Sequence, residues 1–123
     1  MIAHRSNAGF DDTLRALLDA IEHRGLTVFA VIDFAAGAHE AGLDLDDETV
    51  VIFGNPRGGT PLMQSDRRAG IELPLRILVW REGDDVLVGY KDPRELAQTY
   101  ELSGREDVLE QMATLLGALA AGA

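Results

Sequence analysis

The chain contains no cysteine among its 123 residues. Disulfides, thiolate nucleophiles and cysteine-ligated zinc or iron–sulfur centres are therefore excluded, and a reducing compartment is indicated. Long apolar runs are missing as well. Residues 1–7 lack the apolar segment of a secretory signal, and runs such as residues 50–53 are too short to cross a bilayer. These absences predict a cytoplasmic protein.

Basic residues are scarce, with 11 Lys and Arg against 21 Asp and Glu and a formal net charge of −10. This charge opposes binding to nucleic acids and to anionic membranes, so neither is expected as a partner. One basic cleft can differ from the whole surface, which leaves a small anionic ligand open. The three histidines have no spacing typical of metal ligands, and no metal or other cofactor is predicted: His4, His23 and His39.

Apolar side chains recur at helical spacing from residue 10 to the helix-ending Gly25, with Asn7 or the pair Asp11 and Asp12 as candidate caps. Residues 49–53 are apolar almost throughout, which is typical of an interior strand covered on both faces.

The remaining segments predict one α+β domain over residues 1–123. Further strands are predicted at residues 2–6, 26–34, 71–73, 75–81 and 86–90, and further helices at residues 35–42, 61–68, 93–100 and after Gly104. The order βαβαβ(α)ββαα predicts a two-layer sandwich, with helices packed on a mainly antiparallel sheet.

The segment after the apolar strand is the least ordinary part of the sequence, because residues 53–63 combine three glycines with two prolines. Glycine permits positive φ and close backbone approach, and successive amides at a helix start can bind an anion. Arg57 would add a cationic contact and Thr60 a hydroxyl. The candidate ligand-binding residues in this segment are Gly54, Asn55, Arg57, Gly58, Gly59, Thr60 and Met63.

Two interpretations of residues 54–60 stay open. The segment lacks the Gly-Lys-Ser/Thr ending of a phosphate-binding loop, and its glycine spacing is not that of a dinucleotide fingerprint. It forms either a ligand site or a tight turn that only directs Leu62 and Met63 into the core.

Three polar residues in otherwise apolar strands complete the candidate set: Asp33, Arg76 and Tyr90. Asp33 is either a general base or a structural partner of Arg76 or of an amide in residues 54–60. Tyr90 ends a strand, where a cleft can form. No nucleophile–base pair and no G-x-S-x-G motif is present, so enzymatic activity stays undecided.

Seven stretches together follow a known pattern: residues 25–29 (GLTVF), 32–33 (ID), 52–56 (IFGNP), 59–64 (GTPLMQ), 73–76 (LPLR), 79–80 (VW) and 90–93 (YKDP). They lie in the same order as in the family catalogued as domain of unknown function 302, which the chain resembles over nearly its whole length. The resemblance implies a compact α+β fold, often homodimeric, and no established activity. Members commonly carry histidine after the Ile-Asp pair, whereas this chain has Phe34.

We therefore expect a homodimeric module that binds or senses a small molecule or anion at residues 54–60. The alternatives are an acid–base enzyme that uses Asp33 and a purely structural dimerisation or interaction module.

Overall fold

Five antiparallel strands form one sheet in the computed structural model, which describes residues 1–122, and their order is β1-β5-β4-β3-β2. The strands are β1 (Ile2–Arg5), β2 (Thr27–Asp33), β3 (Glu48–Gly54), β4 (Leu75–Glu82) and β5 (Asp85–Tyr90). The connection of β4 to β5 is tight because Gly83 adopts φ of +63°, which glycine tolerates without strain. The predicted α+β fold, with helices on an antiparallel sheet, is confirmed.

Four α-helices accompany the sheet: α1 (Phe10–His23), α2 (Phe34–Glu40), α3 (Pro56–Ser65) and α4 (Glu106–Gly122). Gly25 follows α1 with φ of +73°, as the sequence predicts. The predicted caps of α1 are wrong, because its N-cap is Gly9 and no side chain caps it. Asp11 and Asp12 instead lie in the first turn, where their charges favour the positive end of the helix dipole. Asn7 lies before the cap.

The core lies on one side of the sheet, where α1 and α4 pack; we call this side the inner face. β3 shows the alternation: Val51 and Phe53 are fully buried on the inner face, whereas Val50 and Ile52 are only partly buried. Within a single chain, β3 is therefore fully covered on the inner face only, and the prediction of cover on both faces is wrong for one copy alone. We call the opposite side of the sheet the outer face. The strand register places further apolar residues on this side beside Val50 and Ile52: Ala30, Ile32, Leu78, Trp80 and Leu87.

α3 begins at Pro56, five residues earlier than predicted, so most of residues 54–60 are helical. The Asn55 side chain caps this helix and proline occupies its first turn, where no amide is needed. Gly58 and Gly59 lie inside the helix, and neither they nor Gly54 has a positive φ. The positive φ that glycine permits is therefore not used at these three positions.

Two 3₁₀ helices, Arg67–Glu72 and Pro93–Gln98, complete the fold. The first replaces the short extended piece predicted at residues 71–73, and Asp66 caps it by accepting a hydrogen bond from the Arg68 amide.

Candidate functional site

A cavity of about 260 Å³ lies beside α3, at the end of the sheet where β3 ends and β4 begins. Four parts of the chain enclose it: Leu26 and Phe29, residues 54–63, the chain from Leu73 to Leu75, and Met112 of α4. Its apolar lining consists of Leu26, Phe29, Pro56, Met63, Leu73, Pro74, Leu75 and Met112. The cavity is therefore lined mainly by apolar side chains and is not a polar cleft.

Glycine sets the distance between α3 and the opposite wall. A Cβ atom at Gly59 would lie 3.2 Å from Leu73 Cδ1, which is closer than ordinary van der Waals contact. A Cβ at Gly54 would lie 3.6 Å from Pro74 Cβ and 3.8 Å from Phe29 Cε2. The glycines here serve close approach and not unusual backbone conformation.

The amides at the start of α3 are already engaged. Pro56 has no N–H, and the Arg57 amide donates to Asn55 Oδ1 at 2.9 Å. The Gly58 and Gly59 amides donate to the Asn55 carbonyl at 2.9 and 3.3 Å. An anion would have to displace these bonds, so the helix start does not form the expected anion nest.

Six of the ten candidate residues line this cavity: Gly54, Asn55, Gly58, Gly59, Thr60 and Met63. The other four do not. Arg57 is exposed and lines neither this cavity nor the neighbouring one, Arg76 lines a second cavity, and Tyr90 is buried in the core with its hydroxyl facing Gly117.

Asp33 lies at the far end of β2. Thr27 pairs with Gly54, whereas Asp33 pairs with Thr49, so Asp33 is roughly 20 Å from the cavity end of the strand. Its Oδ1 accepts a hydrogen bond from the Ala36 amide at 2.9 Å and caps α2. The predicted pairing of Asp33 with Arg76 is wrong, since Arg76 lies opposite Ile52 on β4. Asp33 is therefore too far from this cavity to act as a general base on a molecule bound there, which weakens the acid–base alternative.

Phe29 and Met112 are cavity residues that the sequence did not single out. A bulge between Val28 and Ala30 interrupts the alternation of β2, and the Phe29 side chain remains 55% exposed beside Gly54. Met112 belongs to the apolar stripe of α4, which predicts core packing alone. The bulge in β2 places Phe29 at the cavity, and the packing of α4 places Met112 there; neither can be predicted from local sequence patterns.

Asp66 fixes the 3₁₀ helix that follows α3. Its carboxylate accepts from the side chain and the amide of Arg68 and from the amide of Glu101, at 2.9 to 3.1 Å. The Arg68 guanidinium is the main cause that holds the Asp66 pKa well below its usual value of 3.8. Met63, on the cavity wall, packs against Gly70 of this 3₁₀ helix. Through the contacts of Met63 with Gly70 and of Asp66 with Glu101, the cavity wall is connected to the segment before α4.

Comparison with known proteins assigns the chain to a family. The model of the family described as "Domain of unknown function DUF302" matches residues 2–119. The chain belongs to the DUF302 family. The crystal structure of an uncharacterized conserved protein DUF302 from Bacillus stearothermophilus has the same fold, with a TM-score of 0.85, 17% identity, and coverage of 97% of this chain and 94% of that one.

Curated relatives of this DUF302 protein are longer. "Fluoride-specific ion channel FluC 1" of Brucella suis biovar 1 (strain 1330) is 38% identical over 109 residues, which are 88% of this chain and 43% of that protein. The protein of that name from Brucella abortus biovar 1 (strain 9-941) shows the same identity over 40% of its length. The chain thus spans less than half of these relatives. Within residues 1–122, no helix combines the length and apolar character that a membrane crossing requires.

Proposed function

We propose that this DUF302 protein is a small-molecule-binding module whose site is the cavity beside α3. The observation that carries the proposal is an open cavity of about 260 Å³ with an apolar lining, in a protein of only 123 residues. Ligand pockets are typically concave and mostly apolar, with a few polar groups for orientation. At this volume the ligand is small, on the order of ten non-hydrogen atoms.

An aromatic ligand suits this lining best. Phe29 offers a partly exposed ring at the cavity, and the thioethers of Met63 and Met112 lie in the wall. Sulfur–aromatic and ring–ring contacts each contribute about 0.3–1.5 kcal/mol. The Thr60 hydroxyl has no hydrogen-bond partner among residues 1–122 and lines the same cavity, so it can bind one polar substituent.

The anionic ligand that the sequence favoured has less support than an apolar one. The first amides of α3 are engaged with Asn55, and Arg57 lines neither cavity. The discriminating experiment is a calorimetric titration with p-cresol and, separately, with inorganic phosphate. The proposal expects saturable p-cresol binding in the millimolar range or tighter and none for phosphate. Phosphate binding without p-cresol binding would favour the anion instead.

We also propose that the functional unit is a homodimer that pairs through the outer face. The support is the row of apolar side chains on this face, including Ile32, which is 42% exposed, and the single tryptophan, Trp80. A twofold contact would place the same apolar patch of each copy against the other. Sedimentation at several concentrations tests it, since a monomer at all concentrations contradicts the pairing.

A second candidate function comes from the relatives that bear the name of a fluoride-specific ion channel. In this alternative the chain is an accessory module that acts with a fluoride-specific ion channel in the membrane. It runs against the expectation, from the charge of −10, that the protein has no membrane partner. Deletion of the gene would then raise fluoride sensitivity, and unchanged growth in fluoride would argue against the link.

A further inference from the structure

A second cavity, of about 300 Å³, lies on the other side of the chain from Leu73 to Leu75. Its wall is mixed: aliphatic side chains from both 3₁₀ helices, β4 and α4 meet charged groups at the ends of β4 and β5. We call it the charged cavity. It contains the basic side chains of Arg76 and Lys91, the latter being the only lysine of the chain.

Neither Arg76 nor Lys91 has an ion-pair partner among residues 1–122, although acidic residues outnumber basic ones 21 to 11. Of the three acids that line this cavity, Asp92 and Glu72 are engaged elsewhere, and Glu95 has no ion-pair partner among residues 1–122. Asp92 binds the Arg94 guanidinium at 2.9 Å, and Glu72 accepts from the Tyr100 hydroxyl at 2.9 Å. The two cations therefore remain available for a ligand.

Both cations line the charged cavity, Arg76 from β4 and Lys91 from the residue directly after β5. The pairing of β4 with β5 extends to Leu78 and Gly89, and Arg76 and Lys91 each lie two residues beyond that pair. Like charges that line one cavity repel each other. An anion between them removes the repulsion and gains charge-assisted hydrogen bonds.

We propose that the charged cavity binds a small monocarboxylate with a short aliphatic tail. The carboxylate lies between the Arg76 guanidinium and the Lys91 ammonium. The tail packs on Leu73, Leu96 and Leu116, which line the same cavity. The Glu95 carboxylate in the wall disfavours a ligand with a second negative charge, so phosphate and dicarboxylates bind more weakly.

The test is a titration of the full chain with 4-methylpentanoate, compared with its uncharged amide, 4-methylpentanamide. We expect saturable binding of the acid and at least tenfold weaker binding of the amide. Arg76→Met and Lys91→Met should each weaken binding of the acid at least fivefold. Arg57→Met is the matched control, because Arg57 is an exposed cation that lines neither cavity, and it should bind like the wild type.

A second readout does not depend on affinity. Reductive ¹³C-methylation of the single lysine preserves its charge and gives one side-chain signal besides that of the N-terminus. The Lys91 signal should shift on addition of 4-methylpentanoate in wild type and Arg57→Met. Equal binding of acid and amide, full binding by both methionine variants, or a Lys91 signal that stays in place would each overturn the proposal. The methionines of the apolar cavity should not respond, which separates this site from the one beside α3.

Discussion

Gly59 of α3 stands so close to Leu73 that a Cβ atom would lie 3.2 Å from Leu73 Cδ1, whereas its neighbour Gly58 has no atom within 4 Å of an added Cβ. Both glycines lie inside the same helix and neither has a positive φ. Substitutions at these two positions therefore distinguish the effect of glycine's low helix propensity from the effect of its small size on close packing.

Gly58→Ala should stabilise the protein by about 0.5–1 kcal/mol, because alanine is the better helix former and meets open space. Gly59→Ala gains the same propensity but crowds Leu73, and overpacking of this kind costs about 1–3 kcal/mol. Urea unfolding of both variants measures the difference. Equal stabilisation by the two substitutions would show that α3 does not press against residue 73.

The Asp66 cap makes the stability of the fold depend on pH. Because the folded-state pKa of Asp66 lies below the unfolded value of 3.8, its contribution is fully present above that value and is lost as the pH falls below it. Asp66→Asn should therefore lower stability at pH 7, and its deficit should shrink as the pH falls from 5 toward 2.

The measurement for Asp66 is the free energy of unfolding of wild type and variant across that pH range. Asp44→Asn is the control, since Asp44 is an exposed residue outside the helices and strands and makes no ion pair among residues 1–122. It should change stability little at any pH. A deficit of Asp66→Asn that is constant with pH would contradict the assigned role of the carboxylate.

Phe29 should contribute directly to ligand affinity. Phe29→Ala removes one aromatic wall of the cavity and should weaken p-cresol binding about fivefold, which corresponds to about 1 kcal/mol. Phe34→Ala is a matched control, because Phe34 is a phenylalanine of similar exposure that does not line the cavity. Calorimetry measures the p-cresol affinity of both variants. An equal loss of affinity in both would indicate that p-cresol binds outside this cavity.

The outer face should control association of two copies. Leu78 lies on β4, the middle strand of the sheet, so Leu78→Lys puts a charge at the centre of this face. We expect this variant to be monomeric at concentrations where the wild type is dimeric. Thr114→Lys makes the same charge change at an exposed position of α4 and should leave the dimer intact. Sedimentation equilibrium distinguishes them, and a dimeric Leu78→Lys would move the interface to another surface.

Local patterns in the sequence predicted most of the fold but not the start of α3. The periodicity before Gly25 and the hairpin around Gly83 depend on neighbouring residues, and both appear where expected. In residues 54–60, glycine and proline suggested a turn. A helix forms there instead, because the Asn55 cap and the proline in the first turn both match what a helix start requires.

The composition of the cavity was less predictable than its location. The sequence placed a site at residues 54–60, and six candidates do line one cavity. Asp33 and Arg76 were added because charges in apolar strands are unusual, but which end of the sheet each occupies depends on register. Phe29 lines the cavity because of the bulge in β2, and a bulge produces no periodic pattern in the sequence.

The most direct test of the apolar cavity is a ¹³C-methyl methionine spectrum recorded during a p-cresol titration. The chain has three methionines: Met63 and Met112 line the cavity, whereas Met1 packs over Gly89 on the outer face. Single Met→Leu variants assign the three signals. The account predicts that the Met63 and Met112 signals shift together to saturation while the Met1 signal stays in place. Unmoved Met63 and Met112 signals at saturating p-cresol, or equal shifts of all three, would contradict it.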